Sequence, residues 1–300
     1  YERVVAASAA WGDTYEALLV DDGSHDDSLS MMQAMADRNP AFAVIKLSRN
    51  FGHQAAISAG IMHARGDAVV VMDGDLQDPP EELNRFLSKW REGYDVVYAI
   101  RQQRKEHLLK RLAYALFYRV LKVVSHISIP LDSGDFCVMD KKVVRVLNRE
   151  MPERIRFVRG LRAYAGFKQI GVAYDRPERA AGTTKYSFRK LMKLALDGIL
   201  DFSVFPLRIA TFMGFALSVG SLGLAGMYLV ARMLRMPIFG HAPGDVTGFT
   251  TLAVGMFFLG GMILLVLGCI GEYLGRIYTE VKQRPFYIVE TIYRRAAGEP

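Results

Sequence analysis

Two hydrophobic patterns divide the chain. In the first 200 residues, short apolar runs alternate with stretches in which apolar residues recur at helical spacing. Four of the short runs predict β-strands, at residues 16–20, 43–47, 67–72 and 95–99. The stretches between them predict helices, at residues 25–38, 53–64 and 80–92. Apolar strands that alternate with helices predict an α/β domain with a mostly parallel, doubly wound sheet.

From residue 204 onward the pattern changes to two long apolar runs. Residues 209–231 and 249–271 each form a stretch of 23 residues without Asp, Glu, Lys or Arg. A helix of that length spans about 34 Å, enough to cross a hydrocarbon core of about 30 Å. A buried core helix is the alternative, but such helices seldom have so long an uncharged stretch. Because the link is short and contains Pro and Gly, the sequence predicts a transmembrane two-helix hairpin.

The distribution of basic residues predicts the orientation of this hairpin. Lys and Arg are frequent before the first run and after the second, whereas the link has only Arg232 and Arg235. By the positive-inside rule, both termini and the first 200 residues are expected in the cytoplasm. The glycines of both runs allow close helix contacts, so a homo-oligomer is also expected.

Composition and charge narrow the possible functions. Hydrophobic residues make up 51% of the 300 residues and charged residues 23%, which excludes a disordered chain. A net charge of +7 suits nucleic acid, an anionic membrane or a phosphorylated substrate. The basic residues flank the apolar runs, so nucleic acid is the least favoured partner and none is expected. The two cysteines, Cys137 and Cys269, have no metal-ligand or disulfide spacing and indicate a reducing compartment.

Polar clusters follow three of the predicted strands, where parallel sheets bind ligands. Asp73-Gly74-Asp75 places two carboxylates one residue apart, an oxygen site suited to Mg²⁺ or Mn²⁺ bridging a diphosphate. A surface turn is the alternative. Asp21-Asp22-Gly23-Ser24 fits a helix N-cap and equally an acceptor for a base or ribose. Two histidines, His53 and His63, lack metal-ligand spacing and are expected to have packing or capping roles.

Four motifs in order carry a resemblance to a known family. They are Val20-Asp21-Asp22-Gly23-Ser24, Ser48-Arg49-Asn50-Phe51-Gly52, Asp73-Gly74-Asp75-Leu76-Gln77-Asp78-Pro79 and Ser133-Gly134-Asp135-Phe136. This series resembles family-two glycosyltransferases, and more narrowly the polyprenyl-phosphate glycosyltransferases, which include bactoprenol glucosyltransferases, undecaprenyl-phosphate aminoarabinose transferases and dolichyl-phosphate mannose synthases. Gly271-Glu272-Tyr273-Leu274-Gly275-Arg276 is similar to the bacterial subgroup. The family's first strand and its Pro-x-Tyr-Asn-Glu-like segment are not found, and we expect them upstream of Tyr1.

The resemblance implies a GT-A-type, Rossmann-like domain and an inverting transfer reaction. A sugar would move from a nucleotide-sugar to polyprenyl (undecaprenyl) phosphate at the bacterial inner (plasma) membrane, for lipopolysaccharide or other cell-envelope glycans. UDP-glucose is the favoured donor, and UDP-aminoarabinose derivatives, UDP-N-acetylglucosamine and GDP-mannose stay open. A non-catalytic, lipid-binding membrane adaptor is the alternative function. Together with the apolar patterns, the sequence predicts a transferase domain (1–186), an amphipathic helix (187–203), two membrane spans (204–275) and a cytoplasmic tail (276–300). The amphipathic helix suits the membrane interface and equally suits packing against the transferase domain.

The resemblance also implies roles for individual residues. The donor would be bound by Asp22, Asp73, Arg49 and Arg101, although Arg49 can equally fix a loop by pairing with one of the aspartates. The metal, Mg²⁺ or Mn²⁺, would be held by Asp73, Asp75 and Gln77. The acceptor phosphate would be bound by Arg104, Arg179 and Lys185. The catalytic residues would be Asp75 and Asp135, of which Asp135 has the position of a general base. A phosphate monoester is already largely ionised at neutral pH, so Asp135 can equally act by positioning the reactants.

Overall fold

The computed structural model describes residues 1–12, 14–102, 133–154, 156–175, 205–234 and 249–295. The chain forms two compact units. The first unit combines Tyr1–Phe202 with Gln283–Pro300, and the second is Ser203–Lys282. The predicted tail, residues 276–300, is divided between the two units, and its last part belongs to the first.

The described residues of the first unit contain both strands and helices. The strands are β1 (Ala17–Asp21), β2 (Phe42–Leu47), β3 (Ala68–Val71), β4 (Val96–Gln102), β5 (Ser133–Asp140), β6 (Gln169–Asp175) and β7 (Val289–Arg294). The α-helices are α1 (Glu2–Ser8), α2 (Ser28–Arg38), α3 (His53–His63), α4 (Leu83–Arg91), α5 (Lys141–Arg149) and α6 (Val158–Tyr164). A short 3-10 helix, Pro80–Glu82, precedes α4. The strands and helices predicted in the first 100 residues are all found, within a few residues of their expected ends.

The strands form two mixed sheets rather than a mostly parallel one. The first sheet has the order β1-β2-β7, with β1 and β2 parallel and β2 and β7 antiparallel. The second has the order β3-β5-β4-β6, in which β4 and β6 are parallel and both β5 pairings are antiparallel. The expectation of a mostly parallel sheet is therefore wrong. It extrapolated from the first four strands, whereas β5 lies between β3 and β4 and runs opposite to both.

Strand β5 is the centre of the hydrophobic core because both of its faces are covered. Phe136 and Val138 on one face pack with residues of β4 and α4, including Phe86, whose ring centroid lies 4.8 Å from that of Phe136. Cys137 and Met139 on the opposite face pack against residues of α5 and α6. Each such fully buried side chain contributes about 1.5–3 kcal/mol relative to an exposed one. This burial fixes β5, and with it the acidic residue at the beginning of the strand.

The last strand, β7, pairs along the free side of β2. Outside the ladder it is attached by an ion pair from Lys46 to Glu290, at 2.8 Å, and by the hydroxyl of Tyr293, which donates to Asp37 in α2. Residues that follow the long apolar region in sequence are thus an integral part of the first sheet.

The second unit contains two long helices in its described residues. They are α7 (Phe205–Met233) and α8 (Phe249–Val281), and they include the two predicted apolar runs. Within the described ranges one stretch, Phe258–Val281, is long and apolar enough to cross a membrane, and Ile209–Ser221 is a shorter apolar stretch. The transmembrane hairpin stays a prediction.

Candidate active site

Acidic residues meet at one end of the second sheet. In the antiparallel pair of β3 and β5, Val71 lies opposite Cys137. Asp73 is two residues beyond Val71, and Asp135 is two residues before Cys137, so both lie at the same end of this pair. The hydrogen-bonding register therefore brings together two aspartates that are 62 positions apart in the sequence.

Asp135 is held by an arginine and a histidine. Its carboxylate accepts hydrogen bonds from Arg159, with Nε 2.7 Å from Oδ1 and Nη2 2.8 Å from Oδ2. His53 Nε2 lies 3.2 Å from Oδ2 of the same carboxylate and 3.9 Å from Oδ1 of Asp73. Asp135 is only 8% exposed, whereas the His53 side chain is 50% exposed. A buried carboxylate in such a network is oriented firmly, while the histidine beside it is reached by solvent.

The position of His53 depends on Asp22. The two carboxylate oxygens of Asp22 accept hydrogen bonds from the backbone N–H groups of Phe51, at 2.7 Å, and Gly52, at 2.8 Å. Gly52 is the N-cap of α3, and its φ of 101° favours glycine. His53 is the first residue of the helix, so Asp22 fixes the backbone from which its imidazole reaches Asp135.

Gly23 allows the turn after β1 to approach the segment after β2. Its φ is +69°, and a Cβ atom at this position would lie 2.6 Å from the backbone nitrogen of Asn50. Beside this contact, Arg49 Nη1 donates to the carbonyl of Asn50 at 2.9 Å, and the guanidinium lies 4.0 Å from the centre of the Phe51 ring. The polar clusters at residues 21–24 and 48–52, which follow β1 and β2, are thus in direct contact.

The pKa values of three side chains at the site are shifted. Burial would raise the pKa of Asp135, but hydrogen bonds and positive charge from Arg159 and His53 outweigh burial and hold this pKa well below its usual range. The hydrogen bond with Asp135 raises the pKa of His53. Burial, followed by the negative charge of Asp78, raises the pKa of Asp73. Asp135 is therefore a weak proton acceptor, whereas Asp73 lies in a region of excess negative charge.

The acidic segment, residues 73–78, connects β3 to the 3-10 helix. Asp75 Oδ1 accepts a hydrogen bond from the backbone N–H of Gln77 at 3.1 Å, and Leu76 between them has a φ of 62°. Asp78 at the end of the segment is buried and accepts a hydrogen bond from the hydroxyl of Tyr174 at 2.7 Å. No group of three or more His, Cys, Asp or Glu side chains in the described ranges is arranged to hold a metal ion. The assignment of Asp73, Asp75 and Gln77 to a metal stays a prediction.

The structure describes only some of the predicted basic residues. Arg101 lies in β4, opposite Tyr174 in the register of β4 and β6. The three residues predicted to bind the acceptor phosphate lie outside the described residues; they are Arg104, Arg179 and Lys185.

The sequence did not predict the roles of three residues of this site. His53 was assigned a packing or capping role, although its place directly after the polar cluster at 48–52 was a usable signal. Arg159 and Tyr174 lie in short elements without a recognisable motif, and no local pattern relates either residue to the aspartates. Tertiary contacts alone bring them together.

Comparisons with known proteins identify the family of the chain. The model of the family described as glycosyl transferase family 2 matches residues 2–147. The chain is similar to the uncharacterized glycosyltransferase YkcC of Bacillus subtilis (strain 168), with 45% identity over 98% of this chain and 88% of the relative. It is also similar to a prophage bactoprenol glucosyl transferase homolog of Escherichia coli (strain K12), with 40% identity over 92% of this chain and 88% of the relative.

A third relative is the bactoprenol glucosyl transferase of Shigella phage SfII, with 40% identity over 93% of this chain and 88% of the relative. These similarities extend well beyond the first 147 residues and include the two long helices. Identity of this level over nearly the whole length of both chains, together with the match to the family model, shows that the chain is a glycosyltransferase of family 2.

Proposed function

We propose that this enzyme transfers a sugar from a nucleotide-sugar, with UDP-glucose the favoured donor, to polyprenyl (undecaprenyl) phosphate with inversion at the anomeric carbon. The observation that carries the proposal is the convergence of Asp73, Asp135, His53 and Arg159 at one end of the second sheet. The names of two relatives, which specify bactoprenol and a glucosyl group, support the choice of acceptor and donor.

The acidic segment would bind the donor diphosphate together with Mg²⁺ or Mn²⁺. Asp73 lies near Asp78, Asp135 and Asp75, and after burial the negative charges of these three carboxylates raise its pKa. A divalent cation would relieve this repulsion, and carboxylate and amide oxygens are suitable ligands, so Asp73, Asp75 and Gln77 fit a metal. Such a metal would neutralise the charge that develops on the departing nucleoside diphosphate. Asp22 and Arg49 would contribute to the binding of the nucleoside, together with Arg101.

Asp135 would act in catalysis by position rather than by taking a proton. The acceptor is a phosphate, whose second pKa is about 6, so its attacking oxygen is ionised at neutral pH. This oxygen forms the new bond to the anomeric carbon while the bond from that carbon to the diphosphate breaks. Because no proton must be removed, a carboxylate held ionised by Arg159 and His53 is compatible with this reaction.

The proposed acceptor is anchored in a membrane, and the two long apolar runs would bring the enzyme to the same membrane. The runs at 209–231 and 249–271 would hold the enzyme in the bacterial inner membrane, with the transferase domain and both termini in the cytoplasm. The predicted amphipathic helix at 187–203 would lie in the headgroup layer, and Arg104, Arg179 and Lys185 would bind the lipid phosphate.

The test is a donor screen with the full chain in detergent. Radiolabelled UDP-glucose, UDP-N-acetylglucosamine, a UDP-aminoarabinose derivative and GDP-mannose are each incubated with undecaprenyl phosphate, with Mg²⁺, Mn²⁺ or EDTA. Transfer of label to the lipid from one donor, with release of one nucleoside diphosphate per sugar, is the expected result. An absence of transfer from every donor would favour the non-catalytic adaptor instead.

A further inference from the structure

The acidic segment extends between the two outer strands of the second sheet. It begins after β3, the outer strand on one side. At its far end, Asp78 accepts the hydrogen bond from Tyr174 of β6, the outer strand on the opposite side. The segment that contains the proposed metal ligands therefore continues a paired strand at one end and is held at the other by a side-chain hydrogen bond that an experiment can remove.

The aromatic ring of Tyr174 is fixed independently of its hydroxyl. Tyr174 is 2% exposed, and its ring packs edge-on against Phe136, with 5.6 Å between the ring centroids. Phe136 is the neighbour of Asp135 in β5. Removal of the hydroxyl alone would therefore leave the core packing in place, while the buried Asp78 carboxylate would lose this hydrogen bond.

The backbone between the two anchors is strained. Leu76 has a φ of 62°, a left-handed conformation that a leucine side chain disfavours, and it separates Asp75 from Gln77. Such a conformation persists only where the surrounding structure enforces it. Without the hydrogen bond at Asp78, Leu76 could leave its left-handed conformation. Asp75 and Gln77, on either side of Leu76, would then change position.

We propose that Tyr174 is a positioning residue, whose hydrogen bond to Asp78 keeps the acidic segment in the conformation that binds the cation and the donor diphosphate. The inference rests on the proposed function, because it assigns that ligand to Asp73 and Asp75. Tyr174 itself does not touch the reactants. It acts through Asp78 and the backbone of the segment.

The experiment compares Tyr174→Phe with Tyr293→Phe in the full chain in detergent. Tyr293 also donates to an aspartate, Asp37, but in the contact of β7 with α2 rather than in the second sheet, so its variant is a matched control. Two measurements are made without the lipid acceptor: Mn²⁺ binding by electron paramagnetic resonance, and UDP binding by calorimetry at saturating Mn²⁺. Thermal unfolding is recorded for each variant.

The expected result is a loss of about tenfold in Mn²⁺ and UDP affinity for Tyr174→Phe, since a hydrogen bond to a charged group is involved. In transfer assays the KM for the nucleotide-sugar should rise more than kcat falls. Asp78→Asn, which keeps an oxygen that can accept the hydrogen bond, should restore most of the affinity that Asp78→Ala loses. Tyr293→Phe should bind as the wild type does.

Two results would overturn the inference. One is wild-type affinity in Tyr174→Phe, even with a lower melting temperature, which would make the hydrogen bond purely structural. The other is an equal loss of Mn²⁺ and UDP affinity in Asp78→Asn and Asp78→Ala. If the wild-type protein itself binds neither Mn²⁺ nor UDP and transfers no sugar, the proposed function fails first, and the inference fails with it.

Discussion

Arg159 contacts both carboxylate oxygens of Asp135, with Nε 2.7 Å from Oδ1 and Nη2 2.8 Å from Oδ2. A guanidinium that donates two parallel hydrogen bonds fixes the orientation of a carboxylate and stabilises its charged form. Asp135 is buried, and burial of an unpaired carboxylate would cost free energy. The positive charge of Arg159 compensates this cost. The arrangement suits a residue that orients reactants and does not suit a proton acceptor.

Replacement of Arg159 by Lys should therefore lower the rate of transfer while the charge is retained. An ammonium group cannot form the two parallel hydrogen bonds, so Asp135 loses its fixed orientation. We expect kcat to fall about 10–100-fold with a folded protein, as measured by steady-state transfer kinetics and thermal unfolding. Arg3→Lys is the matched control, because Arg3 makes the same two-point contact with Glu81 on the exposed surface. A rate in Arg159→Lys equal to that of Arg3→Lys would contradict the role of the pair.

Substitution of Asp75 by Ala should abolish turnover and leave the fold intact. Asp75 is a proposed metal ligand in the acidic segment, and the substitution removes its carboxylate. We expect at least a hundredfold lower transfer rate, with unchanged thermal unfolding. The control is Asp67→Ala, since Asp67 is exposed and pairs with Lys141 on the surface. EDTA should inactivate the wild type and added Mg²⁺ or Mn²⁺ should restore it. Wild-type rates in Asp75→Ala would refute the metal assignment.

The contribution of His53 to stability should depend on pH. The hydrogen bond with Asp135 raises the pKa of His53 in the folded state above the value of about 6.5 in the unfolded chain. The stabilisation is therefore fully present below pH 6.5 or so and is lost as the pH rises through the raised pKa. We expect His53→Gln to melt about 1–3 °C below the wild type at low pH, because half of the side chain is exposed and solvent screens the pair.

The difference between wild type and His53→Gln should shrink toward pH 8.5. Thermal unfolding by intrinsic fluorescence across this pH range measures it, with His63→Gln at the other end of α3 as the control. A difference that grows with pH would show that the ion pair with Asp135 does not govern the stability of this site.

Gly23→Ala should destabilise the protein more than Gly93→Ala. Both glycines have a positive φ, +69° and +89°, so both substitutions carry a similar conformational cost of about 1 kcal/mol. Only at Gly23 would the added Cβ meet backbone atoms, 2.6 Å from the nitrogen of Asn50, whereas nothing lies within 4 Å at Gly93. Melting temperatures of the two variants compare the effects. An equal loss of melting temperature in the two variants would mean that the close approach of Gly23 to Asn50 does not contribute to stability.

The sequence predicted the parts of the fold that local patterns encode. Apolar runs located β1 to β4, and the position of Asp73 directly after a strand placed it at a sheet end. The order and direction of the strands depend on pairings between distant segments, so the antiparallel insertion of β5 and the addition of β7 could not be foreseen. For the same reason, the aspartates were found from their motifs, whereas Arg159 and Tyr174 became visible only through contacts of 24 and 96 positions in sequence separation.

The place of β7 in the chain has a consequence for biosynthesis. The strand follows α8 in sequence, yet it completes the sheet that β1 and β2 begin near the amino terminus. During translation, β2 therefore cannot pair with β7 until both long helices have been synthesised. The first sheet can reach its native hydrogen bonding only after the apolar helices have emerged, which makes maturation of the transferase domain a late event in synthesis.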